Sequence, residues 1–223
     1  MKFIGHLDIM RYFQKAIRRA KIPVAMSEGY SPHQIMSFAM PLGVGLTSEG
    51  EYLDIQTTQD IDLTAMTKQL NLVMVEGMKV ISCTEIQSKT KAMTLVSAAD
   101  YRITLINAEV FKKLFDACKI NAFFQLEEIT ILKKTKKNEK EVNIRPFIYD
   151  LNYEDENHIF MKLATGSVNN LKPELVIEAF CKYIGCEYHL FEFQITRLEL
   201  YGNLQQGTEI KLKTLEELAS EEV

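Results

Sequence analysis

Helix-like and strand-like hydrophobic patterns follow one another in the same order in both halves of this chain. In the first half, apolar residues recur at three- and four-residue steps over 7–20 and 63–75, which predicts two amphipathic helices. Strands are predicted before residue 6 and over 34–42, 51–57 and 78–86. This order, strand, helix, strand, strand, helix, strand, is that of a ferredoxin-like unit.

The second half repeats this order, with one additional strand before its second helix. Helices are predicted over 108–119 and 173–184, the second opened by Pro173 and ended by Gly185. Strands are predicted over 101–106, 126–134, 141–150, 158–165 and 191–201. We therefore predict an α+β protein made of two tandem ferredoxin-like (βαββαβ) halves. Its predicted parts are domains at 1–90 and 98–202 and an acidic tail at 203–223.

Charge is distributed unevenly, although the net charge is only −4. Residues 1–40 carry six lysines and arginines against two carboxylates, whereas residues 203–223 carry two lysines against five glutamates. A basic front and an acidic tail predict a polarised surface.

Cysteine content and hydropathy indicate the cellular compartment in which the protein is expected. No signal peptide opens the sequence, and no apolar run approaches the roughly 20 residues that span a bilayer. The four cysteines form no C-x-x-C pair, and Cys181 and Cys186 lack a second ligand pair that would favour a metal site. The sequence is therefore expected to be cytoplasmic, away from membranes, with free thiols and without a metal or cofactor.

A run of short motifs occupies residues 5–55: Gly5-His6-Leu7-Asp8, Arg18-Arg19-Ala20, Ser27-Glu28-Gly29-Tyr30-Ser31-Pro32-His33, Pro41-Leu42-Gly43 and Ser48-Glu49-Gly50-Glu51-Tyr52-Leu53-Asp54-Ile55. In these motifs the chain resembles a bacterial family, the radical-SAM-associated domain of unknown function 2344. The resemblance covers nearly the whole chain and is strongest over residues 3–55. It implies a radical S-adenosylmethionine (SAM) enzyme as partner and a setting in RNA modification or processing.

Two departures follow from that resemblance. Family members carry a strand before the segment that begins at Phe3, and this chain starts inside or after it. The first half is therefore expected to lack its N-terminal strand, and an earlier natural start than Met1 is an open alternative. The chain also has no C-x-x-x-C-x-x-C motif to hold the radical SAM cluster, so the resemblance implies an accessory protein.

The predicted binding residues lie mainly on the first helix and in the loop after it. Arginine and lysine side chains spaced along a helix can contact successive phosphates, and an aromatic loop can stack on a single-stranded base. A solvated helix face and a tight turn are the alternatives. The predicted RNA-binding residues here are Arg11, Lys15, Arg18, Arg19, Ser27, Glu28, Tyr30 and His33.

A lysine-rich hairpin tip extends the predicted RNA surface. Lys134 and Lys136 lie in this tip and Arg145 follows on the same hairpin. A basic tip can grip a phosphate backbone, or it can simply keep strand edges soluble. Separately, Glu49, Glu51 and Asp54 form an acidic group that is expected to pair with the arginines of the first helix in preference to binding a cation.

Three functions are compatible with these residues. The leading hypothesis is an RNA-binding accessory module, with tRNA or rRNA as ligand, for a radical SAM enzyme. The second is a metal-independent endoribonuclease in which His6 or His33 acts as acid or base, because histidine titrates near neutral pH. The third is a protein-interaction module without RNA affinity.

Overall fold

The structure is a computed structural model that describes residues 2–86, 90–106, 115–134, 139–203 and 211–220. Within these ranges it is a mixed α+β protein with several sheets and six α-helices. None of the described helices is long and apolar enough to cross a membrane.

Helix α1, His6–Arg19, opens the described chain and confirms the predicted first helix. Its buried face carries Ala16 and Ile17. Asp8 in the first turn and Arg18 and Arg19 in the last turn complement the helix dipole. No strand precedes α1 among the described residues.

The rest of the N-terminal half is a two-stranded antiparallel sheet and a second helix. Strand β1, Met36–Phe38, pairs with β3, Leu53–Ile55. Helix α2, Leu63–Asn71, begins as predicted at the N-cap Asp62, whose carboxylate accepts hydrogen bonds from two backbone N–H groups. The apolar core here consists of five buried residues: Ile17, Ala20, Ile22, Met66 and Leu70.

The prediction of a strand over residues 78–86 is wrong. The structure describes these residues and assigns them to no strand. A strand needs a neighbouring backbone to which its N–H and C=O groups can bond. The backbone of residues 79–86 has no such backbone partner among the described residues.

Strand β2, Thr47–Ser48, joins the N-terminal half to the larger sheet. It pairs in parallel with strand β9, Phe193–Asn203. The Thr47 and Thr196 hydroxyl oxygens lie 2.8 Å apart, within hydrogen-bonding distance. The sequence patterns gave no indication of this pairing.

The large sheet also contains β4, Val96–Leu105, β7, Ile148–Asp155, β8, His158–Ala164, and β10, Leu212–Thr214. Its order is β10-β9-β4-β8-β7, and these five strands pair antiparallel. Across the sheet, four of these strands lie in the order β9-β4-β8-β7. By their position in the chain, they are the fourth, first, third and second of the four. The tandem ferredoxin-like arrangement of both halves stays a prediction.

Helices cover one face of this sheet. The short helix α3, Ala92–Leu95, leads into β4, and α4, Ala117–Phe124, and α5, Pro173–Ile184, pack on the buried side chains of the strands. Helix α5 has the predicted bounds and ends at Gly185, which adopts a φ of 76°. Of the helix predicted over 108–119, residues 108–114 lie outside the described residues. Helix α4 has Asp116 as its N-cap, whose carboxylate accepts from the Lys119 N–H.

In the hairpin of the second half, the strands have different bounds from the predicted ones. Strand β5, Thr130–Lys134, pairs with β6, Glu139–Asn143. A short 3-10 turn, Arg145–Phe147, then separates β6 from β7, so the strand predicted over 141–150 is in fact the end of one strand and the start of another. Pro146 explains the break, because proline lacks the N–H that continues a ladder.

Part of the acidic tail is ordered against the sheet. Strand β10 extends the β9 edge, and helix α6, Leu215–Ser220, buries Leu215 and Leu218 in the main core. Burial of these two apolar side chains, one turn apart, holds this short and negatively charged helix against the sheet.

Candidate nucleic-acid interface

The solvent-facing side of α1 carries the predicted basic residues. Arg11, Lys15 and Arg18 are exposed and follow one another at steps of four and three, so they share one stripe of the helix. Arg11 makes a surface ion pair with Asp8, at 3.4 Å. The Lys15 and Arg18 side chains make no ion pair with another described residue, which leaves them available to an anionic ligand.

Arg19 differs from its neighbours because it holds α1 in place. Its guanidinium donates to the carbonyl of Val73 at 3.2 Å and lies 5.9 Å from the centre of the Tyr12 ring. The Tyr12 hydroxyl in turn accepts from the Val75 N–H at 2.8 Å. Substitution of Arg19 would therefore disturb packing as well as charge.

The loop after α1 forms a hairpin-like tip between Met26 and Gln34, which make an isolated β-bridge. The Ser27 N–H donates to the His33 carbonyl, and the Ser27 hydroxyl accepts from the His33 N–H. Gly29 has a φ of 108°, which glycine tolerates and other residues rarely adopt. The turn therefore depends on Ser27 and Gly29.

Tyr30 at this tip is fully exposed, and Glu28 and His33 are exposed beside it. A large, fully exposed aromatic ring at the end of a backbone-fixed turn is positioned to stack on a planar ligand. The structure thus brings Ser27, Glu28, Tyr30 and His33 together at one tip.

The two candidate histidines occupy different surroundings. His6 lies edge-on to Phe38, with ring centres 5.9 Å apart. His33 Nδ1 lies 2.8 Å from the Ser27 hydroxyl oxygen, a hydrogen bond that fixes the imidazole within its own turn. No contact in the described part of the chain joins His6 to His33.

The remaining predicted RNA-binding residues are scattered. Lys134 lies at the end of β5, and Lys136 lies outside the described residues. The Arg145 guanidinium donates to the Ile148 carbonyl at 3.0 Å and lies 4.2 Å from the centre of the Phe124 ring. These contacts attach Arg145 to the core of the second half.

The prediction that Glu51 pairs with the arginines of α1 is wrong. Glu51 accepts from Arg197 on β9, with Nε to Oε1 at 2.8 Å, and the same guanidinium donates to the Met40 carbonyl at 2.7 Å. Asp54 accepts from the Ala92 N–H at 2.9 Å, and its burial raises its pKa. The sequence patterns did not identify Arg197, because the alternation of apolar and polar residues over 191–201 predicts only that it lies on a strand.

The described residues contain no group of three histidine, cysteine or acidic side chains that could hold a metal ion. Cys181 is fully buried, and desolvation raises its pKa well above the usual range of a thiol. Burial also raises the pKa of Cys186.

A polar cluster on the face of the large sheet was not predicted. The Tyr201 hydroxyl donates to Asp100 Oδ2 at 2.7 Å, and Lys162 Nζ lies 3.5 Å from Oδ1 of the same carboxylate. Lys162 also sits 4.1 Å from the centre of the Tyr201 ring. These residues come from β4, β8 and β9, so only the strand order brings them together.

Asp100 is expected to make stability depend on pH. Burial raises the pKa of Asp100 above 3.8, so the folded chain holds this proton more tightly than the unfolded chain does. Relative to an Asp100→Asn variant, the wild type should therefore lose unfolding free energy as pH rises from about 3.8 through the raised value. Urea denaturation of both proteins between low and neutral pH measures this difference. A constant difference across that range would contradict the assignment.

The fold and this surface define a mixed α+β protein with an exposed basic helix and an aromatic loop tip. The profile of a bacterial family, the uncharacterized protein conserved in bacteria (DUF2344), matches residues 1–173. The chain therefore belongs to this family. Comparison with curated proteins gave no match.

Proposed function

We propose that this protein is an RNA-binding accessory protein that works with a radical SAM enzyme in RNA modification or processing. The observation that carries the proposal is the row of exposed cations on α1, followed in the chain by the fully exposed ring of Tyr30. Cations on a rigid helix bind phosphates without choosing a sequence, and an exposed ring stacks on an unpaired base.

The charges on this surface indicate which side chains would contact phosphate and which would contact a base. Lys15 and Arg18 have no ion-pair partner in the described residues, so binding a phosphate does not require breaking an ion pair. Arg11 would exchange Asp8 for phosphate at little cost, since an exposed ion pair contributes only about 0–1 kcal/mol. Glu28 beside Tyr30 disfavours phosphate at the tip, which favours contact there through a base.

The partner and the ligand class rest on the family resemblance. A radical SAM enzyme would supply the chemistry and this protein would present tRNA or rRNA to it. We also propose the finer architecture of two ferredoxin-like domains, at 1–90 and 98–202, with the tail at 203–223. The order of β4, β7, β8 and β9 supports this division for the second domain.

Reversal of two α1 charges tests RNA binding. Lys15→Glu with Arg18→Glu is expected to weaken binding of labelled cellular tRNA about tenfold or more at low salt. It is also expected to reduce the salt slope of log affinity by about two, one for each lost phosphate contact. Fluorescence anisotropy at several salt concentrations measures both quantities. Arg19 is left unchanged because it contacts Val73.

The matched control is Lys172→Glu with Lys182→Glu. It makes the same change of charge at two exposed positions, the N-cap of α5 and its last turn. Equal weakening by both double variants would show that only net charge matters and would overturn the assignment of the surface. A cleavage gel on the same samples covers the endoribonuclease alternative: metal-independent cutting lost with His33→Ala or His6→Ala would support it. Intact RNA without binding would favour the protein-interaction module.

A further inference from the structure

Helix α5 ends in a turn that brings two cysteines together. The Gly185 N–H donates to the Lys182 carbonyl at 3.3 Å, and the Cys186 N–H donates to the Cys181 carbonyl at 2.9 Å. With the left-handed conformation of Gly185, these two hydrogen bonds define a Schellman motif. This motif places the side chain of Cys181, in the last turn of the helix, against that of Cys186, the residue after the glycine.

The thiols of Cys181 and Cys186 are in hydrogen-bonding contact. Burial raises the pKa of Cys186, and the hydrogen bond from the Cys181 thiol partly offsets this effect. The same contact adds to the effect of burial in raising the pKa of Cys181. Two thiols in contact, across a turn whose backbone is already fixed by hydrogen bonds, need little movement to form a disulfide.

The two cysteines differ in how readily a reagent can reach them. Cys181 is fully buried, whereas Cys186 is partly exposed. The negative charges of Glu192 and Glu178 also act against a thiolate at Cys181. Because the thiolate is the nucleophile in disulfide exchange, the reaction begins at Cys186 and Cys181 takes part second.

We propose that Cys181 and Cys186 are a thiol modification site that forms a reversible disulfide by exchange with a low-molecular-weight disulfide such as oxidised glutathione. The Cys186 thiolate attacks one sulfur of the reagent, so that a mixed disulfide forms and one thiolate leaves. The Cys181 thiolate then attacks the Cys186 sulfur, the protein disulfide forms and the second thiolate leaves. The two cysteines lose two protons and two electrons, which the reagent takes up as it becomes two thiols.

The disulfide would join the last turn of α5 to the segment that leads into β9. In a reducing compartment the pair stays as two thiols, and it is oxidised when the ratio of small disulfide to small thiol rises. The site lies in the second half of the chain, away from the exposed stripe of α1, and does not depend on RNA binding.

Equilibration with glutathione tests the proposal in the full chain. Cys83→Ser with Cys118→Ser leaves the pair as the only thiols, and circular dichroism confirms that this variant is folded. Samples in mixtures of reduced and oxidised glutathione are quenched with acid and analysed by mass spectrometry, both folded and in guanidinium chloride. We expect the equilibrium constant for the intramolecular disulfide to be at least about tenfold higher in the folded chain, because the turn holds the thiols together.

Single substitutions on the same background separate the roles of the two cysteines. Cys181→Ser is expected to stop at the mixed disulfide, with one glutathione on Cys186. Cys186→Ser is expected to take up no glutathione while it is folded, since Cys181 is fully buried, and to react once guanidinium chloride unfolds it.

Any of three results would overturn the proposal. The first is an equal equilibrium constant in the folded and unfolded chains, which would show that the turn does not align the thiols. The second is a mixed disulfide that persists in the folded chain although both cysteines are present. The third is a disulfide-linked dimer in place of the intramolecular bridge, which would mean that Cys186 reacts with another molecule before Cys181 reaches it.

Discussion

Replacement of Glu51 with alanine is expected to lower the free energy of unfolding by about 3 kcal/mol. Arg197 is 2% exposed, and Glu51 supplies its only carboxylate in the described residues. Without Glu51, the guanidinium keeps a hydrogen bond to the Met40 carbonyl but carries an uncompensated buried charge. Because Glu51 follows β2 and Arg197 lies on β9, the loss falls on the connection between the two halves.

Urea denaturation with equal protein concentrations measures this effect. Glu49→Ala is the matched control, since Glu49 is exposed and contributes to the junction through its backbone N–H, which alanine keeps. Its expected change is within about 0.5 kcal/mol. A double variant, Glu51→Leu with Arg197→Met, should recover much of the loss because it removes the buried charge altogether. Similar losses for Glu49→Ala and Glu51→Ala would contradict a stabilising ion pair between Glu51 and the buried Arg197.

Gly166→Ala is expected to destabilise the chain by about 3–4 kcal/mol, for two independent reasons. Gly166 has a φ of 149°, a backbone conformation that residues with a side chain rarely adopt. A Cβ at this position would also collide with the carbonyl oxygen of Val96, at the start of β4. Since that obstacle is backbone in the central strand region, it cannot move aside as a flexible side chain would.

Gly185→Ala separates the two contributions. Gly185 also has positive φ, 76°, but a Cβ there would meet no atom within 4 Å. Its expected cost is therefore the conformational part alone, about 1 kcal/mol. Thermal unfolding followed by circular dichroism compares the two variants directly. If both variants lose the same stability, the close approach of residue 166 to Val96 is not a determinant of the fold.

The basic surface shows how far charge patterns predict a site. Spacing along α1 correctly predicted that Arg11, Lys15 and Arg18 share an exposed stripe, because helix geometry fixes the direction of each side chain. Arg19, adjacent in sequence, was grouped with them. Its bond to Val73 depends on where α2 ends in space, and local periodicity contains no information about that.

Strand prediction failed where pairing decided the outcome. Residues 78–86 have the apolar content of a strand, yet no described backbone is available to pair with them. Thr47 and Ser48 have no strand pattern of their own and nevertheless pair with β9. A strand exists only in relation to its neighbour, so sequence windows detect the capacity for a strand and not its formation.

The sequence alone determined the helices α1, α2 and α5, with the N-cap Asp62 and the stop at Gly185, because capping and amphipathic periodicity are local interactions. It also determined the mixed α+β class and the exposed basic stripe. Only the tertiary structure decided the Arg197–Glu51 pair and the Asp100 cluster. Each joins residues far apart in the chain, and such contacts arise from the order in which the strands pair.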